Sequence, residues 1–531
     1  MTPDRIINRD PNHVRIFDTT LRDGFQSPGV NVGPENRFRV AQLLANMRVD
    51  IIEAGFPASS RENFDSVRAI ASGIDGPVIC ALARANPEDI DRAWEAIEPA
   101  QERGGARIHI FIATSEIHMR DKLKMTPEQV LGATRESVRR AKKLTNDIEF
   151  SPEDATRSDF DFMMRVVLEA VDAGATTINI PDTVGYAQPP EYADRIREVR
   201  YRIDRYIGRD LVVISTHCHD DLGLAVANTL AGVMAGARQV EVAINGIGER
   251  AGNTSFEEVV AALRYRPDFY IVGGIPLSTQ IDPLYVYQTS EYVEKVTGMI
   301  IAPNKAVVGR NAFAHESGIH AAGVIANSLT YEIMTPEIFG NRKTEIVIGA
   351  ESGHSAIVAR ATKLGFKIAD RTGLTTKVKE YANSTRRSVS DTELERIAAA
   401  FIGEDLTDVV VLGEFETGWT GHISTSTVNL VMNGNPLSAG AWGEDPIQSV
   451  VQAIKYATGL EIDLTYSAGK SLDTGAEAKA EVKLTVKDGI EVTAYAEDND
   501  SSLAVIKAYI AALNTISRIN TRQKSQSGWV S

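Results

Sequence analysis

With only two cysteines, Cys80 and Cys218, among 531 residues, the chain has no disulfide framework with which to staple a small fold. It must fold on buried apolar surface, and a reducing cytoplasm is its default address. Long hydrophobic runs are missing as well. The longest, such as residues 108–114, have strand length and fall well short of the ~18 residues that span a bilayer. Residues 1–10, with four charged side chains, do not resemble a signal peptide. Basic charge is in deficit: 56 Lys plus Arg stand against 71 Asp plus Glu, a formal net charge of −15. That balance argues against a broad electrostatic footprint for nucleic acid or an anionic membrane, while leaving room for a local basic pocket. A soluble cytoplasmic protein is expected. A dinucleotide fingerprint is absent after the first strand-like segment. Its nearest match, Gly246-Ile247-Gly248 with Ala251 in the third position, follows the eighth segment instead.

What is present is a globular composition, 43% hydrophobic and 24% charged, in a chain too long for one compact domain. Short β-branched segments recur at 14–19, 49–54, 78–83, 107–113, 147–150, 176–180, 211–216 and 239–244. Helical periodicity separates them, for example at 34–46, 61–72 and 159–173. Near-continuous apolar strands alternating with helices require a parallel sheet covered by helices. Eight such units fit a (β/α)8 TIM barrel over residues 1–275 better than an open doubly wound sheet, which more often stops at five or six strands. A helical connector is expected over 276–403, with an amphipathic helix at 391–402. From 404 to 531 the pattern becomes an α+β domain with an internal strand-strand-helix repeat. Its turn signals are Asn433-Gly434 in the first copy and Lys487-Asp488-Gly489 in the second. Such a pseudo-symmetric domain offers either a ligand-sized regulatory seam or a plain dimerisation module.

In a (β/α)8 barrel the active site lies at the C-terminal ends of the strands, and here those ends are dense in polar residues. Strand one is followed by Arg22-Asp23, strand five by Ser151-Pro152-Glu153, strand six by Pro181-Asp182-Thr183, and strand eight by a loop running from Asn245 to Asn253. The sharpest element is His217-x-His219. On extended backbone, side chains two apart point the same way, so both imidazoles can meet one ion while Cys218 points away. Asp23 from another strand end, with Asn253 as a further oxygen ligand, would complete an N/O site suited to Mn²⁺, Zn²⁺, Co²⁺ or Mg²⁺. Arg22 would then present a fixed cation where negative charge develops; its alternative role is a structural ion pair with Glu53 or Glu153. Glu153 and Glu249 are placed to hold a base or orient a water, or else to neutralise Arg22 or Arg250. Outside the barrel, small residues from Gly309 to His320 surround His315 and His320, with Tyr331 close behind. A histidine there can serve as an acid or base, or simply pack in a helical linker.

The runs Phe17-Asp18-Thr19-Thr20-Leu21-Arg22-Asp23-Gly24, His217-Cys218-His219-Asp220-Asp221-Leu222-Gly223 and Asn245-Gly246-Ile247-Gly248-Glu249-Arg250-Ala251-Gly252-Asn253 resemble the signatures of the 2-isopropylmalate, homocitrate and citramalate synthase group. Three further segments are similar to the 2-isopropylmalate synthase branch in particular: Gly55-Phe56-Pro57-Ala58-Ser59-Ser60, Ala113-Thr114-Ser115-Glu116-Ile117-His118-Met119 and Ile178-Asn179-Ile180-Pro181-Asp182-Thr183-Val184-Gly185-Tyr186. The resemblance implies a divalent metal on Asp23, His217 and His219, with Asn253 nearby. It carries catalytic roles onto Arg22, Glu153, Glu249, His320 and Tyr331, and contact with the oxo acid onto Arg22, Ser151 and Thr183. It also implies condensation of acetyl-CoA with 3-methyl-2-oxobutanoate on the route to leucine. Further implications are a homodimer in which His320 and Tyr331 act on the partner's barrel, and a C-terminal domain through which leucine inhibits.

The chain departs from the family pattern at Phe25, where Glu or Asn is expected and altered pocket polarity follows. It also departs at Ala321-Ala322 and in Gly349-Ala350-Glu351-Ser352-Gly353-His354-Ser355. The first alternative is a sister acyltransferase using pyruvate, 2-oxoglutarate or a longer 2-oxo acid, since one methylene is worth only ~1–3 kcal/mol of discrimination. A lyase on the same metal and barrel, as in hydroxymethylglutaryl-CoA lyase, would have no use for the connector and repeat. A non-catalytic leucine sensor would have no use for the intact polar strand ends.

Overall fold

The structure is a computed structural model that describes residues 10–209, 211–340, 342–420, 423–460, 462–470, 478–486 and 490–527. It divides into two compact units, one of Met1–Phe313 with Ile333–Lys343 and the other of Ala314–Glu332 with Thr344–Ser531. The stretch 276–403 is thus shared between them.

In the first unit, β1 (Arg15–Asp18), β2 (Ile51–Gly55), β3 (Val78–Arg84), β4 (Ala106–Ala113), β5 (Ile148–Glu153), β6 (Thr177–Asp182), β7 (Val213–Cys218) and β8 (Gln239–Val242) close into the expected parallel barrel. β8 pairs back onto β1. Every residue of β2, β6, β7 and β8 is buried, as strands covered on both faces must be. The helices begin where a side chain can replace a missing backbone partner. Ser60, Asn86, Thr126 and Asp159 each accept a hydrogen bond from the backbone N–H three residues on. Strands β5, β6 and β7 run two or three residues beyond their apolar segments. Register pairs such as Ala113↔Glu153 and Asp182↔Cys218 keep the ladder intact after the pattern has turned polar. That extension puts Ser151, Glu153, Asp182 and His217 on the sheet itself rather than on loops.

The N-terminal half of the barrel interior is closed by charge. Fully buried Arg107 on β4 donates to Asp147 through Nε (2.9 Å), to Glu149 on β5 through Nη1 (2.8 Å) and to Gln239 on β8 (2.8 Å). Gln239 in turn donates to Glu149 (2.7 Å) and to Ser215 on β7 (3.0 Å). Removing one member of such a network strands the others in low dielectric. Arg107→Met is therefore expected to lower barrel stability by about 3–5 kcal/mol, read as an earlier unfolding midpoint in urea, with KM for substrates unchanged. An unchanged midpoint would show that Asp147 and Glu149 do not depend on the arginine.

In the second unit, an antiparallel sheet of Val410–Thr420, Ile423–Met432 and Asn435–Gly443 is followed by the helix Pro446–Thr458. A second sheet of Ile462–Lys470, Ala478–Val486 and Glu491–Asp498 is followed by the helix Ser501–Ser527. The repeat is present, and each copy has one strand more than the pattern predicts. The extra strand of the first copy, Val410–Thr420, contains Gly413 and Gly418 and breaks register between Leu412 and Phe415, so its apolar alternation is lost. The Asn433-Gly434 turn has both residues at positive φ, 51° and 79°, the type I′ hairpin that Asn-Gly favours. The expected turn at Lys487-Asp488-Gly489 lies outside the described residues. The helix Asp391–Ile402 is present as expected. Among the described residues no helix is long and apolar enough to cross a membrane.

Candidate active site

At the C-terminal end of the barrel a cavity of about 310 Å³ is lined by Arg22, Asp23, Ser151, Glu153, Thr183, His217, His219 and Glu249, joined by Leu82, His109 and Phe111 among others. Eight of the eleven site residues expected from the sequence therefore meet in one place. A ninth, Asn253, is beside it: its backbone forms an antiparallel bridge with His219. The loop that seats Asn253 admits no side chains at its turns. A Cβ on Gly248 would fall 2.1 Å from Asn253 Nδ2, and one on Gly252, at φ +97°, would fall 2.1 Å from the Gly246 carbonyl.

The ligand atoms of Asp23, His217 and His219 lie within 4.8 Å of one another, and all three residues are buried. Asp23 Oδ2 is 3.4 Å from His217 Nε2 and 3.7 Å from His219 Nε2, and the two Nε2 atoms are 3.2 Å apart. Two donors sharing one ion at ~2.1 Å sit about 3.0–3.4 Å from each other, so the cluster needs little adjustment to hold a divalent cation. Two buried polar atoms of the same group have no hydrogen-bond partner: Asn253 Oδ1 and His219 Nδ1. The amide oxygen is oriented by its own Nδ2, which donates to the Ile247 carbonyl at 3.1 Å. Burial and the neighbouring His217 push His219 down to about 4, so that at neutral pH its imidazole is unprotonated. Burial opposes ionisation of Asp23, but Arg22 and both histidines outweigh it and hold the carboxylate ionised. Cys218, between the histidines, is buried in the barrel's apolar core and does not line the cavity.

Arg22 takes its structural partner from β2, not from β5. Its Nε donates to Glu53 Oε2 at 2.6 Å, and Nη1 lies 3.2 Å from Asp23. Glu53 also accepts from Thr19 Oγ1 (2.7 Å) and contacts His109 Nδ1 (2.8 Å), whose Nε2 meets Ser151 Oγ at 2.7 Å. Asn179 donates to the same Ser151 Oγ at 2.9 Å. Burial would raise Glu53, yet Arg22 and His109 hold it well below the usual carboxylate range. Glu153 pairs with Lys122 Nζ at 2.5 Å through Oε1, and its Oε2 is buried without a partner. Thr183 Oγ1 accepts from the Asp154 backbone. Arg250, one partner weighed for Glu249, is instead held by a two-bond pair with Asp221.

His320 and Tyr331 belong to the second unit. They stack on each other with ring centroids 4.1 Å apart, both exposed, with Ile319 and Leu329 exposed nearby in sequence at 76% and 79%.

Residues 13–293 match the HMGL-like family, residues 307–386 the homocitrate synthase post-HMGL domain-like family, and residues 388–517 the LeuA allosteric (dimerisation) domain. The chain is 46% identical over 508 residues to the 2-isopropylmalate synthase of Aquifex aeolicus, covering 94% of this chain and 95% of that protein. It is 43% identical to that of Nitrosospira multiformis, covering 95% and 98%, and 44% identical to that of Heliobacterium modesticaldum, covering 95% and 96%. The chain belongs to the 2-isopropylmalate synthase family. Members are acyltransferase-type enzymes.

For this family member the departures at Phe25 and Ala321-Ala322 can be placed in the structure. Phe25 does not change the pocket's polarity as expected. It is buried in the barrel core beneath Arg37, 5.4 Å from the guanidinium, and the neighbouring Gln26 lines the cavity instead. Ala321 is fully buried in the second unit's core, and Ala322 is exposed. The departures at Ala350, Glu351, His354 and Ser355 have no structural explanation. The residues that sequence reasoning missed as site residues are His109, Asn179 and Glu241. The signal was available: each is a polar side chain at an inward position of a barrel strand, where apolar residues are the rule.

Proposed function

We propose that the chain is a metal-dependent 2-isopropylmalate synthase, condensing acetyl-CoA with 3-methyl-2-oxobutanoate to give 2-isopropylmalate and CoA at the entry to leucine synthesis. The observation that carries the reading is the Asp23–His217–His219 cluster with the unpartnered Asn253 oxygen, set beside Arg22 in the cavity, in a chain that aligns over almost its whole length with 2-isopropylmalate synthases. These residues would hold Mn²⁺, Mg²⁺ or Zn²⁺, which supplies Lewis acidity toward the oxo acid's carbonyl.

The chain's own groups would do the rest. A carboxylate, Glu153 or Glu249, takes a proton from the acetyl methyl group. The resulting carbanion forms the new C–C bond at the oxo carbon, and the former carbonyl oxygen, now an alkoxide, is stabilised by Arg22 and then protonated. Water adds to the thioester carbonyl, the C–S bond breaks, and CoA leaves as the thiol. Ser151 and Thr183 would position the oxo acid. Leu82, Phe111 and Pro181 give the cavity an apolar wall for a branched side chain, while Arg250, the other lining arginine, is already paired with Asp221. A second acceptor carboxylate, as in 2-oxoglutarate, has no free cation to meet among the lining residues.

His320 and Tyr331, exposed and stacked together, would serve the barrel of a partner subunit as acid/base and hydroxyl donor. The match to an allosteric (dimerisation) domain supports a homodimer inhibited by leucine. So does the sheet face on which Val411, Ile423, Val431 and Trp442 are exposed.

The test is release of free CoA thiol from acetyl-CoA, with and without chelator, across 3-methyl-2-oxobutanoate, pyruvate and 2-oxoglutarate. Chelator-sensitive release should be greatest with 3-methyl-2-oxobutanoate and should fall when leucine is added. Greatest release with another acid would move the substrate to a sister acyltransferase, and no release with any acid would sink the reading.

A further inference from the structure

We propose that Glu241 is the positioning residue of the cation centre: it fixes the ring of His217 so that Nε2, and not Nδ1, is the donor atom. The inference rests on the reading that Asp23, His217, His219 and Asn253 hold a divalent cation. Glu241 is on β8, in register with His217 on β7 and with Phe17 on β1. It is 1% exposed, and its Oε2 lies 2.7 Å from His217 Nδ1, the distance of a charge-assisted hydrogen bond. Among the described residues neither of its oxygens has an aligned hydrogen-bond partner, so the 2.7 Å approach to His217 Nδ1 is a close ion-pair contact.

Its neighbours are all committed elsewhere. His109 spends Nδ1 on Glu53 and Nε2 on Ser151. Glu149 spends one oxygen on Arg107 and the other on Gln239. The 2.7 Å approach leaves Glu241 placed to accept the Nδ1 proton of His217. An imidazole whose Nδ1–H is held this way keeps a lone pair on Nε2, the atom that faces Asp23 and His219. A carboxylate behind a ligating histidine also raises its basicity as a ligand. The arrangement is one-sided. His219 Nδ1 has no hydrogen-bond partner among the described residues, whereas His217 Nδ1 has a carboxylate oxygen 2.7 Å away. A buried carboxylate with nothing else to bind is costly to keep for packing alone.

The experiment is titration of the metal-free full-length chain with Mn²⁺ by calorimetry, for the parent and for Glu241→Gln, alongside thermal melting of both metal-free proteins. Glutamine keeps the volume but removes the charge, so the Mn²⁺ Kd of the folded protein should rise about 10–100-fold. Glu241→Leu, of similar volume with no acceptor, should show at least the same rise and stands in if the glutamine variant does not fold. A side chain that only packs the barrel would lower the metal-free melting midpoint and leave Kd unchanged. A Kd within twofold of the parent's in a folded variant would overturn the positioning role while leaving the cation site intact. Failure of the parent itself to bind Mn²⁺, Mg²⁺ or Zn²⁺ would overturn both.

Discussion

Replacing His217 by alanine should abolish chelator-sensitive CoA release while the barrel still folds. The loss should exceed the ~10–100-fold typical of a change one shell out from a metal, because the substitution removes a ligand outright. Of the three protein groups that converge within 4.8 Å, two would remain, one nitrogen and the carboxylate oxygen. The strand itself is held by ladder pairs on both sides, Pro181↔His217 and His217↔Glu241, which the substitution does not touch. What it does leave is Glu241 buried without its 2.7 Å contact to His217, at a cost of about 1–3 kcal/mol. The double variant His217→Ala, Glu241→Gln should recover much of that stability, seen as a higher melting midpoint, and recover none of the turnover. Chelator-sensitive release within tenfold of the parent in His217→Ala would remove this histidine from the metal site.

The barrel was legible because its strands advertise themselves: eight short apolar segments, each with a helix behind it, leave few other ways to bury so much β-branched surface. What sequence periodicity misplaced were the strand ends. At β5, β6 and β7 the apolar pattern stops at 150, 180 and 216, and the hydrogen-bonded strand continues to Glu153, Asp182 and Cys218. Within those extensions Ser151, Glu153, Pro181 and His217 line the cavity, so chemistry rather than apolar packing chose several of them. The same cause hid His109 and Glu241, which sit in mid-strand where a polar residue reads as an exception to the pattern. Motifs found the ligands, whose spacing is local, but could not find Glu241, which reaches His217 only because β8 lies beside β7. The pairing of Arg22 with Glu53 rather than Glu153 was likewise invisible in one dimension. It follows from β1 and β2 being neighbours in the barrel, with Phe17↔Ile51 and Asp18↔Ile52 in register.

That pairing decides what to expect when Arg22 is replaced. Arg22→Met should lower kcat by about 10²–10³-fold, the effect of removing one fixed donor from developing charge, with a smaller rise in KM for the oxo acid. Two of the guanidinium's five N–H groups are spoken for, Nε by Glu53 at 2.6 Å and one on Nη1 near Asp23 at 3.2 Å. Glu53 is itself fixed by Thr19 and His109. The remaining donors therefore sit on an anchored plane at the cavity surface, already oriented before any substrate arrives. Burial works against the charge, but Asp23 and Glu53 outweigh it and keep Arg22 protonated. Depression of Glu53 keeps that anchor ionised down the acid side of any practical assay, since its proton would return only below the ordinary carboxylate range. Arg22→Lys separates charge from geometry. A lysine retains the cation but has one point of attachment, so if it pairs with Glu53 it leaves the cavity, and if it faces the cavity it leaves Glu53 short of a partner. It should recover no more than about a tenth of the parent's kcat, a residual barrier of ~1.4 kcal/mol. Full activity in the lysine variant would mean that charge alone suffices and that the Glu53 anchor serves stability; unchanged kcat in the methionine variant would remove Arg22 from the chemistry altogether.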